Sequence, residues 1–489
     1  MVTTTDLRRF AFQQGPGREL LGLRDPIADD APTTSSVPPA ACRGGSGRLL
    51  PLGTHRLLDE VPYPAGRVGG GVEDVLGHLL LAAFGLQRRE PSNRYNDHRV
   101  TASVRSKFPV HCFVLDEHGL AYLDLHRHAL VEVGLPAPAD RPEPGRTTVV
   151  LAGRYSDYPA GYGSLRGSLA DLELGINLRS LVMAAELFGV PAAVDLDGAR
   201  CRGVAGLLAG TGPGEWTPPL LVSLDTSRRR HGEPLPAVAA TPDADDLLAA
   251  ETGLHEAVRV AATRYELRAA PAAPAAGLPA GGRPAGPSWA RVLWNRSAGR
   301  APAGLYGFSV VPERYGREVL DDHVAAALVP PPHPLLAAVY ERVRLSVALQ
   351  RIDGTPAGLY RLGPGGLSLL RADDGVMRAV ENAFGHSLAP DTDTSVRHAG
   401  LVWLMSADLA ALAAEFGPAS WTLLQLTCGW ISHGLSIAAA AHDQFARPVR
   451  SIDEARTVTC FGLRWDELPT FTVICGRSRF AEPMLDLRT

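Results

Sequence analysis

Lysine is almost absent from this chain. Of its 489 residues, 48 are Lys or Arg, and only Lys107 is a lysine. A GC-rich coding bias, which also favours Ala, Gly, Pro and Arg, explains the scarcity but not the survivor. A basic surplus is absent as well. The net charge is −4 and no basic stripe is visible, which argues against a nucleic-acid partner. None of the six cysteines (Cys42, Cys112, Cys201, Cys428, Cys460 and Cys475) stands at CxxC spacing from another, so neither a metal site nor a redox pair is expected. Cys112 and Cys475 lie in apolar runs and read as buried thiols. The opening MVTTTDLRRFAFQQGPG has no apolar core of a secretory signal, so a reducing, cytoplasmic setting is expected. Charge is absent from residues 421–441, WTLLQLTCGWISHGLSIAAAA, a length that fits a membrane span or a fully buried helix. Gln425, Thr427, Ser432, His433 and Ser436 are many polar groups for a lone span, and no second such run exists. The buried helix, and no membrane, is the expectation.

The chain has 45% hydrophobic and 20% charged residues, enough for a sizeable core. Residues 1–70 are rich in Pro, Gly and Ser and read as an irregular segment. Residues 71–242 form a first half. Its helix is at 72–86, a hairpin turns at His118-Gly119, a buried strand covers 147–153 and a long helix covers 168–189. Residues 243–287 connect the halves, with a charged amphipathic helix over 243–268 and a low-complexity linker, APAAPAAGLPAGGRPAGP, over 270–287. Residues 288–489 form a second half in similar order: a helix from 288, a hairpin over 357–371, a strand at 399–406, then the charge-free helix.

The similarity of order can be tested at an offset of about 254 residues. Tyr162 falls on Phe416, Gly163 on Gly417, Leu169 on Leu423, Leu172 on Leu426 and Gly175 on Gly429. Leu181 falls on Leu435, and Ala184 and Ala185 on Ala438 and Ala439. Apolar matches alone are shared by any two buried helices. Glycines in register, each preceded by a strand, point to an internal duplication.

A strand, an aromatic-Gly turn and a helix with a fixed glycine, found twice, resemble the flavin-dependent nitroreductase superfamily. The nearer resemblance is to its branch of azoline dehydrogenases, of the streptolysin and thiopeptide type. The resemblance covers roughly residues 72–190 and 288–480. The family's Arg-Arg-Ser-x-Arg start is approximated by Trp294-Asn295-Arg296-Ser297-Ala298-Gly299-Arg300, and its flavin-covering loop by Arg99 to Pro109. Its loop after the long helix is approximated by Arg447-Pro448-Val449-Arg450-Ser451-Ile452-Asp453-Glu454, and its basic closing strand by Ile474 to Arg479. The resemblance implies an α+β, nitroreductase-like fold with two degenerate copies fused into a pseudodimer. It also implies FMN as cofactor, bound by Arg296, Ser297, Arg300, Pro448, Ser451, Arg477 and Arg479 of the second half. Ser103 and Arg105 of the first half would cover it. No good second copy of either set is found, so one flavin site is expected to survive.

The chemistry of these residue types is compatible with that assignment. A flavin phosphate carries about two negative charges, and a guanidinium offers it a planar fork of donors. Arg296 and Ser297 are expected at a helix start, and Arg477 and Arg479 on one face of a strand. Each is equally readable as a surface residue of an Arg-rich protein. Lys107 reads as a flavin-site or substrate-site group, or as a solvated loop lysine. Many family members use a Lys-Tyr pair before the long helix; here Gly161-Tyr162 and Glu415-Phe416 stand in its place. Tyr162 is therefore a candidate acid/base, with Lys107 a candidate substitute for the missing lysine. His433 reads as a satisfied core histidine and Glu415 as a remote alternative. Three functions remain open. One is an FMN-dependent azoline dehydrogenase acting on a precursor peptide, with cyclodehydratase partners. The others are another nitroreductase-fold oxidoreductase, and a flavin-free scaffold.

Overall fold

The computed structural model describes residues 2–13, 38–91, 97–134, 146–159, 162–209, 216–226, 233–235, 252–270, 276–279, 286–299, 310–384, 396–450, 452–479 and 483–489. The first half runs α1 (Thr4–Gln13), β1 (Gly47–Leu49), α2 (Thr54–Asp59), α3 (Val75–Phe84), β2 (Leu86–Arg89), β3 (Asp97–Arg99), β4 (Val110–Asp116), β5 (Gly119–Asp124), β6 (Ala129–Gly134) and β7 (Thr147–Gly153). It continues with α4 (Leu165–Leu187), β8 (Ala192–Asp195), α5 (Gly198–Ala209), β9 (Leu220–Leu224) and β10 (Pro234–Leu235), and α6 (Thr252–Ala261) follows. The second half runs α7 (Trp289–Asn295), β11 (Val310–Val311), α8 (Arg317–Ala327), α9 (Pro334–Arg342), β12 (Arg344–Leu349), β13 (Gly358–Gly363), β14 (Gly366–Ala372), α10 (Val376–Ala383) and β15 (Leu401–Ala407). It ends with α11 (Leu409–Phe416), α12 (Ser420–Ala441), β16 (Phe445–Val449), α13 (Glu454–Phe461), β17 (Leu468–Ser478) and β18 (Leu485–Asp486).

The two sheets correspond strand by strand. The first is ordered β10-β1-β6-β5-β4-β7-β9-β8; the second is β14-β13-β12-β15-β17, with β16 and β11 both on β17. Thus β6-β5-β4-β7-β9-β8 matches β14-β13-β12-β15-β17-β16, and every registered pair is antiparallel. β7 at 147–153 and β15 at 401–407 stand at the 254 offset. Both are buried along their whole length, as expected of runs rich in Val, Leu and Trp that are covered on both faces.

The two long helices cross at the centre. A methyl group added at Gly175 would overlap the carbonyl oxygen of Leu426, and one added at Gly429 would overlap that of Leu172. These are the same two positions exchanged between copies, so a pseudo-two-fold axis runs through the crossing. Only glycine allows backbones this close. Gly163 (φ 49°) and Gly417 (φ 67°), the turn glycines before each helix, are both left-handed. The fused pseudodimer inferred from the glycine register is the architecture found.

Some elements differ from the sequence reading. Residues 38–70 are not irregular: β1 extends the first sheet by pairing with β6, and α2 packs beside α7. Three residues of strand have no visible periodicity of their own; β6 supplies the pairing. Within the linker, the amides of Gly277 and Leu278 both donate to Glu186 Oε2, and Leu278 is buried. Of the amphipathic helix, 252–261 is helical, and residues 243–251 lie outside the described residues. Helix α12 is buried from Ser420 to Ala440 within the joint core. No helix among the described residues is long and apolar enough to cross a membrane.

Candidate functional site

Ser288 caps α7, its hydroxyl accepting from the Arg291 amide, and the helix ends with Arg296 as its C-cap. Arg296 therefore stands at a helix end, not the start expected from sequence. The segment is fixed to the second sheet: the Ala446 amide donates to Ser297 O (2.9 Å), and Arg447 Nη1 donates to Ala298 O (3.2 Å). Arg296 is 3% exposed. Its Nη2 donates across the halves to Arg99 O (2.8 Å), and its Nε has no partner. Burial, then the charge of neighbouring Arg88, pushes its pKa down to about 9. Arg88 is itself fully buried, pairs with Glu90 at 2.9 Å, and donates to the carbonyls of Trp294 and Arg296. Among the described residues, Glu90 is thus the single carboxylate beside two buried guanidinium groups, with His98 at 3.4 Å as its other neighbour. The buried Arg296 Nε, without a partner among the described residues, is the kind of donor that a phosphate completes.

Arg99 leads from this cluster to the covering loop, with its guanidinium over the Phe108 ring at 4.4 Å. The loop holds a short turn over Val104–Ser106, and Lys107 follows it, half-buried, its amide donating to Val104 O at 3.0 Å. The Ser103 hydroxyl accepts from the Phe108 amide (2.8 Å), so it ties the loop together. Arg105 Nε donates to the Tyr162 hydroxyl (3.2 Å) and its guanidinium lies over that ring. The structure therefore joins Arg296 to the Lys107 segment through Arg99 and Phe108, and joins Tyr162 to the same loop through Arg105.

The remaining expected residues are placed as follows. Pro448 lies not in a loop but in edge strand β16, opposite Val473, where a missing amide donor is tolerated. Arg477 is half-exposed at the end of β17; its amide donates to the Tyr315 hydroxyl and its side chain lies 3.7 Å from Glu313. Those contacts are not with Arg296 or Ser297. Arg479 lies past the strand end, near enough to His398 to help lower its pKa, after burial and Arg351. Arg300, Ser451 and Gly161 lie outside the described residues. Glu415 makes two hydrogen bonds to Arg342 on an exposed surface. His433 is buried with both ring nitrogens unpartnered, and burial followed by Arg179 and Arg296 pushes its pKa well below the usual value. It is thus a neutral, unsatisfied histidine rather than a satisfied one.

Sequence reading missed Arg88, Glu90 and Glu173; it placed Arg99 at the start of the covering loop but gave it no role. Glu173 is buried on α4 under the covering loop and accepts the Val104 amide at 2.8 Å. A signal for it did exist: within LADLELGINL two acids interrupt an apolar helix, and at the 254 offset they face Gln425 and Thr427.

No family model and no curated protein sequence matches this chain. Among solved structures, a protein of Anabaena variabilis assigned as a nitroreductase superposes with a TM-score of 0.64 at 14% identity, over 97% of this chain and 99% of its own. A Ralstonia eutropha protein with the same assignment matches 42% of this chain and 89% of its own at 19% identity, TM-score 0.30. The E. coli microcin synthetase McbBCD complex with truncated pro-MccB17 bound matches 34% of this chain and 66% of its own at 9% identity, TM-score 0.30. The last two superpositions are too loose to bear an argument. The full-length match agrees with the strand-by-strand correspondence and the exchanged glycine contacts: the chain has the nitroreductase fold, as two degenerate copies in one polypeptide.

Proposed function

We propose that the chain is an FMN-dependent oxidoreductase that oxidises thiazoline or oxazoline rings of a precursor peptide to azoles. The observation that carries this reading is Arg296: a buried guanidinium on the second half, in the neighbourhood of Arg88 and Glu90, and bonded to the backbone that leads into the first half's covering loop. Arg296, Ser297 and the neighbouring Arg447 would hold the phosphate, with Arg300, Pro448, Ser451, Arg477 and Arg479 as further contacts of the second half. The flavin supplies the hydride acceptor when bound. The loop around Ser103, Arg105 and Lys107 excludes water, and Tyr162, fixed by Arg105, moves the proton that leaves the ring carbon. The peptide would come from cyclodehydratase partners that form the azoline. Six free, buried cysteines suit a reducing cytoplasm.

A second reading, a nitroreductase-fold oxidoreductase of other substrates, is favoured by one observation: no lysine precedes Tyr162, and Glu415 of the second copy is tied up with Arg342. The test is the absorption spectrum and flavin-to-chain ratio of the purified protein, followed by turnover of an azoline peptide under oxygen. A ratio of one with turnover supports the proposal, and a ratio of two refutes the single site. Flavin without azoline turnover selects the second reading. A colourless protein that stays empty in excess FMN ends both and leaves the scaffold. Arg296→Gln is expected to lower FMN affinity at least tenfold, read by flavin fluorescence quenching.

A further inference from the structure

The covering loop is strained, and among the groups that hold it is a carboxyl group beneath it. Arg105, Ser106 and Phe108 have φ of 49°, 53° and 51°, a left-handed backbone that costs each of them free energy and persists only where surroundings enforce it. Arg105 is held by Tyr162, and Phe108 by Ser103 and Arg99, and from beneath the loop is held by Glu173 on α4. Its Oε1 accepts the Val104 amide at 2.8 Å, and the Ser103 hydroxyl bonds to the same carboxyl group. Its Oε2 has no partner. Glu173 also lines a cavity of about 20 Å³, with Arg99, His111, Tyr122 and Asn177, room for about one water.

We propose that Glu173 is the positioning residue of this loop: the loop closes over the protonated carboxyl, and loss of the proton releases it. The charged and titratable groups around it are Arg99 at the end of β3, His111 on β4, Tyr122 on β5, Tyr158 after β7, Asp171 on α4, and Arg105 and Lys107 on the loop. None forms an ion pair with it among the described residues. His111 is engaged by Asp157 at 2.7 Å and by Tyr122 at 3.1 Å. A carboxylate left with one bare oxygen in so small a cavity is disfavoured, and opening the loop wets it. Burial pushes the Glu173 carboxyl up to about 8, above the usual carboxylate range. Closure therefore takes a proton from solvent, and opening returns it. The second copy has no such device among the described residues: Thr427, at the position of Glu173, turns its hydroxyl back to Leu423 O of its own helix. What the loop covers rests on the function proposed above; the latch itself does not.

The lone lysine makes the test specific. Endoproteinase Lys-C can cut the full-length chain at one place only, after Lys107 in the loop. Cleavage rates of wild type and Glu173→Gln are compared at pH 7 and pH 9, so that the protease's own pH dependence cancels in their ratio. The wild-type to Gln ratio is expected to rise about tenfold over that interval, because closure weakens with each pH unit up to the pKa of the closed state and then levels off. Glu173→Ala is expected to be cut fast at both pH values. Asp171→Asn, which alters a neighbouring buried acid that does not touch the loop, should follow wild type. A ratio that stays flat overturns the proposal, and so does an Asp171→Asn variant whose pH response is as flattened as that of Glu173→Gln. If the Ala variant does not fold, the Gln comparison still decides. Flavin content is measured on the same samples. A protein that binds no flavin but keeps the pH-dependent ratio would refute the flavin reading and leave the latch standing.

Discussion

The two central helices occupy equivalent places and have kept different residues. Along α4 the buried set includes Arg166, Asp171, Glu173, Asn177 and Arg179; at the 254 offset α12 has Ser420, Gln425, Thr427, Ile431 and His433. The charges of α4 have assigned partners: Asp171 faces Arg264 at 3.4 Å, Glu173 holds the loop, and Arg179 donates to Trp430 O and Ala326 O. The polar groups of α12 are neutral and several lack partners, among them both amide atoms of Gln425 and both nitrogens of His433. In a true dimer both helices would be the same sequence and both would have to serve both sites. Fusion removes that constraint, and charge has stayed on the copy whose loop is built.

The comparison can be broken first at the charge cluster that spans the halves. Glu90→Gln removes the carboxylate paired with buried Arg88, and is expected to destabilise the fold by about 3 kcal/mol in urea denaturation. Added FMN or inorganic phosphate should restore part of the lost melting temperature, since an anion bound only by the folded state stabilises it. A silent Glu90→Gln would show that the cluster is solvated. The helix crossing comes next. Gly175→Ala and Gly429→Ala should each cost about 2 kcal/mol, an overpacking cost lessened by alanine's helix propensity. The two losses should be nearly equal, because each methyl meets the same carbonyl of the other copy. Unequal losses would mean that the axis does not pass through the crossing.

Much of this architecture was legible in the sequence. Strands at 147–153 and 399–406, the second found at 401–407, and both long helices are read from long apolar runs, and the glycine register reports a backbone approach that tolerates no side chain. The site was legible only where residue types are distinctive, at Arg296 and the loop around Lys107. Arg88 and Glu90 were not, because a single charged residue in or next to a short strand reads as solvated. Their burial arises from a small third sheet, in which β2 pairs with β3 and with β18 from the far end of the chain. Arg477 and Arg479 were expected on one face of a strand, but β17 ends at Ser478, and β11 and Glu313, which fix where Arg477 goes, have no local signal.

A pH-dependent effect, modest per pH unit, separates the two helices. Asp171 is raised to about 7 and Glu173 to about 8, burial being the main cause in both. Raised folded values mean that the folded state holds these protons longer than the unfolded chain. Their stabilisation is complete below the unfolded carboxylate pKa. It falls as pH rises from there, and the loss is finished once pH has passed about 7 for Asp171 and about 8 for Glu173. Within that window the expected loss is on the order of 1 kcal/mol per pH unit for each acid. Asp171→Asn with Glu173→Gln should therefore flatten the stability profile between about pH 5 and pH 8. Gln425→Ala and Thr427→Val on α12 should leave its slope unchanged.

The smallest expected effect on the fold concerns the turn before each helix, where Tyr162 and Phe416 are equivalent. Tyr162→Phe removes one acceptor from Arg105 but keeps the ring beneath its guanidinium, so stability should change by about 0.5 kcal/mol. Flavin content should not change. Azoline turnover should fall at least tenfold, since only the phenol is lost. The reciprocal Phe416→Tyr places a phenol in the second copy, where no matching loop is found among the described residues, and should add no turnover. A double variant carrying both changes should therefore behave as Tyr162→Phe alone. If Phe416→Tyr rescued activity, the second copy would still hold a working site, and the asymmetry of charge between the helices would need a cause other than the loss of one flavin site.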